Sequence, residues 1–178
     1  YHTTMHLFHL LIQFRDLCQQ DKWMSVSRSD SAVVRLAIFF HDIVYDVKRK
    51  DNESRSAKLF AEAFINDVKP RSLSEGEIKR VVFFIECTAS HLSHQDKDDK
   101  MLKYFLDFDL AEELLQSHYV KSYVDNVRKE YSCYSDEEFA KGRSGFLKKM
   151  LSYEHIFYSP ALRERYEKQA MENMKWEL

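Results

Sequence analysis

The stretch Ser31-Ala32-Val33-Val34-Arg35-Leu36-Ala37-Ile38-Phe39-Phe40-His41-Asp42 decides how this chain is read. Val33, Val34, Leu36, Ala37, Ile38, Phe39 and Phe40 make it apolar nearly all round, and Asp30 or Ser31 can cap its start, so the spacing predicts a central helix. A buried helix that stops on His41-Asp42 delivers an imidazole and a carboxylate to one point where water is partly excluded. Such a pair is costly to bury without partners. Taken alone, though, a His-Asp dipeptide more often reflects local bonding, with Asp42 capping a turn and His41 hydrogen-bonded nearby.

Helical periodicity continues on both sides. Upstream, Met5, Phe8, Leu11, Ile12, Leu17 and Trp23 recur at spacings near three and four, with Thr3 and Thr4 as caps, and Met24 to Ser31 reads as a connection. Downstream, Ala57, Phe60, Ala61, Phe64 and Ile65 share one face of a helix over Ser54 to Asp67 that Pro70 prevents from continuing. Ser74 and Glu77 have capping-box spacing ahead of a long helix ending near His91 and His94. Gln95 to Lys100 reads as an exposed loop, followed by helices over Met101 to Leu115 and Tyr119 to Tyr131. Ser135 and Glu138 give a second capping box, opening a helix towards Leu151, and Pro160 suits the first turn of a last helix to Leu178.

Composition agrees with an all-α fold. The 178 residues include only three Gly and two Pro, against typical usages of roughly 7% and 5%, and no alternating strand-like run bounded by turn residues competes. The length fits one domain over residues 1–178 with a real core. The first helix begins almost at once and no Met precedes it, so the natural protein is expected to extend further upstream. A net charge of −2 with interspersed signs leaves no basic footprint for nucleic acid. No apolar stretch approaches the roughly 20 residues of a membrane span, and no signal peptide is visible. Cys18, Cys87 and Cys133 lack CxxC spacing and read as reduced core thiols, from which a reducing, cytoplasmic location is expected.

The residues able to carry chemistry are few. His2, His6 and His9 share a face of the first helix, so at least one imidazole is expected to point inward. Asp109, in Phe105-Leu106-Asp107-Phe108-Asp109-Leu110, is a carboxylate among apolar residues, and a buried carboxylate needs a cation or several donors. Imidazoles and carboxylates together suit a divalent ion such as Mn, Fe, Co, Ni or Zn, with Mg less at ease with nitrogen. Two His and two Asp leave positions open for water and substrate on an ion that accepts more than four ligands.

The order of His6, then His41-Asp42, then Asp109 on successive helices resembles the HD-domain superfamily of metal-dependent phosphohydrolases, whose signature is a histidine, a His-Asp doublet and a distant aspartate. Within it, Tyr1-His2-Thr3-Thr4-Met5-His6, Phe40-His41-Asp42-Ile43-Val44-Tyr45-Asp46, Asp51-Asn52-Glu53-Ser54-Arg55-Ser56-Ala57 and Leu106-Asp107-Phe108-Asp109-Leu110-Ala111 look like a compact subgroup of predicted phosphohydrolases. The likeness runs on through Arg128-Lys129-Glu130-Tyr131 and Gly142-Arg143, nearly the whole chain.

The resemblance implies a single bundle-like helical domain with a metal at its centre, held by His6, His41, Asp42 and Asp109. Asp107 stands two residues from Asp109 and is the alternative fourth ligand. The implied activity is hydrolysis of a small phosphoester, a nucleotide among the candidates, with neither nucleic acid nor membrane as partner. Asp42, Asp46 and Glu53 are the candidate proton acceptors or outer partners of the metal, although Asp51, Asn52 and Glu53 equally suit the start of a helix. His91, Arg128 and Arg143 are candidates for holding phosphate, with Lys48, Arg49 and Lys50 as further positive donors and His94 beside His91. The other reading is a non-catalytic helical protein that binds a metal or ligand.

Overall fold

Serine side chains start several of these helices. In the computed structural model, which describes residues 4–20, 26–64, 73–94, 97–114 and 120–178, the described residues form α1 (Thr4–Gln20), α2 (Arg28–Phe40), α3 (Asn52–Glu62), α4 (Glu75–Cys87), α5 (Lys100–Leu114), α6 (Val120–Glu130), α7 (Asp136–Leu151) and α8 (Pro160–Glu177). A 3-10 helix over Thr88–Ser93 follows α4, and no strand occurs among the described residues. The all-α class is therefore as expected. Of the sequence readings, His2, Thr3, Trp23, Met24, Ile65, Asp67, Pro70, Gln95, Leu115 and Tyr119 fall outside the described residues.

Both capping boxes form: Ser74 and Ser135 each accept from the backbone of the glutamate three residues on, whose carboxylate returns to the serine N–H. Ser159 caps α8 with Pro160 in its first turn. Replacing Ser135 with Ala is expected to cost about 1 kcal/mol, read as a lower urea midpoint at unchanged m-value. The cap of α2 is neither Asp30 nor Ser31 but Ser27, whose hydroxyl accepts from Asp30 N at 3.0 Å. Asp30 instead has a distant partner, Arg80.

The chain clusters into two compact units, His2–Leu106 and Asp107–Leu178, with the division falling inside α5. In the first, α4 packs on α2 and α3, and α1 packs on α2. Here α2 is less central than its composition predicts: Val33, Val34, Ala37 and Ile38 are buried, whereas Phe39 is 49% exposed. On α1 the inward face is His6, Leu10 and Phe14, a strict i, i+4, i+8 row, while Met5 and Phe8 are exposed. A count of apolar residues picks the wrong stripe because it cannot know that an imidazole has a partner to meet inside. The core between the helices is aromatic, with Phe60, Phe84 and Phe105 fully buried.

In the second unit α7 packs on α8, and Leu147, Met150, Phe157, Leu162, Ala170 and Met174 are buried. Polar groups pin its connections. Four successive backbone N–H groups of the segment before α8 are held by carboxylates: Ile156 and Phe157 donate to Glu167 at 2.8 and 3.4 Å, and Tyr158 and Ser159 donate to Asp107 at 2.6 and 2.7 Å. Asn173 donates to the Leu114 carbonyl at 2.6 Å, tying α8 to the last turn of α5. Of the three cysteines, all free, only Cys87 is buried; Cys18 and Cys133 are exposed, so the reading of three core thiols holds for one.

Candidate metal centre

His41 is the C-cap of α2, with its backbone N–H bonded to the Ala37 carbonyl at 2.9 Å. Its ring bends back over the last turn, and Nδ1 lies 2.9 Å from the Ile38 carbonyl oxygen. A carbonyl can only accept, so Nδ1 carries a proton and donates it. In the neutral ring this leaves Nε2 as the lone-pair nitrogen, aimed away from the helix. A donor to backbone on one ring nitrogen is the usual way a protein orients a metal-binding histidine. The C-terminal end of α2 also carries the negative pole of the helix dipole, which favours a cation.

His41 Nε2 faces two further groups. His6 Nε2, from α1, is 3.2 Å away, and the Asp42 carboxylate is 2.9 Å away. Asp109 completes the arrangement: donor atoms of His6, His41 and Asp109 all lie within 4.8 Å of one another. Asp109 stands on α5 one turn past Leu106, and the helix is unbroken there, so the turns that pack Phe105 against His41 also place Asp109. These side chains are 3%, 1% and 6% exposed, whereas Asp42 is 19% exposed and forms the edge of the group nearest solvent.

These distances fit a shared cation. Two imidazole nitrogens each about 2.0–2.1 Å from one ion, at angles between octahedral and tetrahedral, stand roughly 2.9–3.4 Å apart. A lone pair on His41 Nε2 and an ionised carboxylate at 2.9 Å repel unless positive charge lies between them. One proton on Nε2 serves one neighbour at a time; a divalent ion draws all of these donors inward. His6, His41 and Asp109 therefore make a buried group able to bind a metal ion. Asp42 reaches it through His41 and lies outside the set of mutually close donors.

Asp107 is engaged elsewhere. Its two oxygens accept the Tyr158 and Ser159 N–H groups, and burial pushes its pKa up to about 6 against the pull of those bonds. Residues two apart on a helix point roughly 200° apart, which is why one aspartate of the pair caps a connection and the other faces the imidazoles.

The segment after Asp42 is stitched to the start of α3. Asn52, buried, accepts from Asp46 N at 3.1 Å and donates to the Asp46 carbonyl at 2.9 Å. One turn later Ser56, fully buried, accepts from Val44 N at 3.1 Å and donates to the Val44 carbonyl at 3.3 Å. Each side chain satisfies both the N–H and the carbonyl of one residue in this non-helical segment. Their residue types fit the sequence pattern, but these roles were not legible: only the return of residues 43–46 along α3 makes them necessary.

The remaining candidates are spread out. The exposed Asp46 carboxylate closes a turn by accepting from Lys48 N at 2.9 Å, and Glu53 lies in the first turn of α3; neither joins the group of close donors. Lys48 and Lys50 are exposed, and Arg49 pairs with Asp51 at 2.6 Å. His91 is half-buried in the 3-10 helix. His94 clasps the end of α4: its Nε2 donates to the Cys87 carbonyl at 3.2 Å and its Nδ1 faces the Cys87 thiol at 3.7 Å, a thiol that burial pushes up to about 11.

Both arginines have partners within their own unit. Arg128 donates to the Tyr131 and Tyr134 carbonyls and to Asp136, bracing the turn between α6 and α7. Arg143 forms a bidentate pair with Glu177 at 2.6 and 2.9 Å, between the rings of Tyr123 and Phe146. Both are fixed by intramolecular partners, as buried or half-buried guanidinium groups must be. No helix among the described residues is long and apolar enough to cross a membrane. Set against known protein families, curated proteins and solved structures, the chain matches none.

Proposed function

We propose that this protein is a metal-dependent phosphohydrolase acting on a small phosphoester, with a nucleotide among the candidate substrates. The observation that carries the reading is the convergence of His6, His41 and Asp109, with Asp42 at the His41 nitrogen, from three helices far apart in sequence. The resemblance of the sequence motifs to the HD-domain superfamily supports it. His6, His41 and Asp109 are the ligands, and Asp42 is the fourth ligand or the first proton acceptor. Mn, Fe, Co, Ni and Zn suit this mixed nitrogen and oxygen set better than Mg. When bound, such an ion supplies Lewis acidity, making a water more acidic and polarising a phosphoryl oxygen.

The chain's own groups do the rest. The Ile38 carbonyl holds His41 Nδ1–H, so the ring presents a lone pair rather than an N–H. Asp42, which lies at the more exposed edge of the group, takes the proton of an attacking water as it meets substrate in this reading. Metal analysis of the purified protein, followed by a phosphoester panel with each divalent ion added, tests this. Bound metal and turnover that Asp42→Asn removes, with helicity retained, is the expected result. Stoichiometric metal without turnover on any phosphoester would instead favour a metal-binding protein without catalysis, which the near-complete burial of three donors also suits.

A further inference from the structure

We propose that Arg80 is a positioning residue for the metal centre, acting through Phe84 and Phe105 on the His41 imidazole; this rests on the metal reading above. Arg80, on α4, joins the beginnings of two helices that carry ligands. Its Nη1 donates to Asp30 in the first turn of α2 at 2.6 Å, and its Nε and Nη2 donate to Asp99 ahead of α5 at 2.7 and 2.9 Å. Asp99 in turn caps α5, accepting from the N–H groups of Met101 and Leu102 at 3.0 and 3.2 Å.

The guanidinium is thus a brace between α2 and α5 at the end opposite the metal centre. At 1.5 Å rise per residue, Asp30 is roughly 16 Å from His41 along α2, and Asp99 roughly 15 Å from Asp109 along α5. A helix barely stretches along its axis, so fixing where α2 starts bears on where His41 arrives.

A second connection runs through the core. The Arg80 guanidinium lies 5.3 Å from the centre of the Phe84 ring, which stacks on Phe105 at 6.0 Å and 16°. Phe105 meets the His41 imidazole edge-on, at 5.8 Å and 87°. Phe84 and Phe105 have no exposure to solvent, and close-packed rings transmit displacement because there is no void to absorb it. Arg80 is itself partly buried and borders a surface cavity of about 500 Å³ lined with Asp30, Asp98, Asp99 and Lys100. A small cation can therefore enter where the side chain has been cut away.

Two measurements decide the matter on full-length Arg80→Ala, with Ile78→Val, a buried substitution on α4 outside the brace, as a control for general loosening. In metal-free protein the ring-proton resonances of His41 are expected to move in Arg80→Ala and to stay in Ile78→Val. In titrations with Mn²⁺ or Zn²⁺ alone, Arg80→Ala is expected to bind roughly 10- to 100-fold more weakly, the range for outer partners of a metal site. Methylguanidinium is expected to restore part of the affinity to Arg80→Ala and none to Ile78→Val. Arg80→Lys, whose ammonium can satisfy Asp30 or Asp99 but not both bidentately, is expected to fall between and serves if the alanine variant does not fold. Unmoved His41 resonances together with wild-type affinity in Arg80→Ala would overturn the proposal. If the wild-type protein binds no divalent ion, the metal reading fails by itself, and the His41 resonances alone decide whether Arg80 positions that ring.

Discussion

His41→Ala is expected to abolish stoichiometric metal binding and any metal-dependent turnover while the helical signal in circular dichroism survives. The loss should exceed the roughly 10- to 100-fold that removing an outer partner of a metal costs, because the variant deletes a ring nitrogen that faces both His6 and Asp42. The helix itself is not at risk: His41 is its C-cap, and the backbone bond to Ala37 needs no side chain. Removing the ring leaves a small cavity beside Phe105, which in a core of this kind costs about 2–4 kcal/mol. His41→Gln, which fills more of that space, separates folding from ligation. Retained metal at full stoichiometry in either variant would remove His41 from the site.

Asp107→Ala is expected to produce a large loss of stability, while metal binding persists. The side chain satisfies the N–H groups of Tyr158, which is half-buried, and Ser159, which is buried, and truncating it removes their acceptor, at about 1–3 kcal/mol for a buried donor and less for the half-buried one. Asp107→Asn keeps the shape but can accept only at one atom, so one N–H then faces an amide N–H₂. The aspartate also gives the fold a signature in pH. Its folded-state pKa is about 6, above its ordinary value of 3.8, so between those values the folded protein holds more protons than the unfolded chain. Stability from this group is therefore greatest below pH 4 and falls as pH rises to 6. Relative to Asp107→Asn, the wild type should lose about 3 kcal/mol across that window. Chemical denaturation of both proteins at pH 4, 5, 6 and 7 measures it; parallel curves would show that the carboxyl titrates normally.

These two aspartate neighbours illustrate how far local pattern reaches. The apolar residues that flank them on α5 mark Asp107 and Asp109 alike as carboxylates in apolar company, and both are buried. The motif resemblance puts Asp109 first and leaves Asp107 as the alternative, and the fold agrees: Asp107 is taken up by the N–H groups of residues 158 and 159, a partnership that the sequence around α5 does not encode. The arginines show the same limit. Read along the chain, Arg128 and Arg143 are candidates for holding phosphate; in the fold, Arg143 forms a bidentate pair with Glu177, 34 residues away, which the local sequence does not announce.

By itself the sequence determined the all-helical class, both capping boxes, the proline-led start of α8, and the ending of α2 on His41-Asp42. Each is a matter of residues within about one or two helical turns, where propensity, capping and periodicity act directly. Tertiary structure alone decided that α1 turns His6, Leu10 and Phe14 inward instead of Met5 and Phe8, and that Asn52 and Ser56 hold the segment after Asp42. It likewise gave Asp107 its partners at residues 158 and 159, while Asp109, which the motif order puts first, joins the two imidazoles. Those outcomes are set by which polar groups find partners once distant helices pack, and burial without a partner is too costly for any other arrangement to persist.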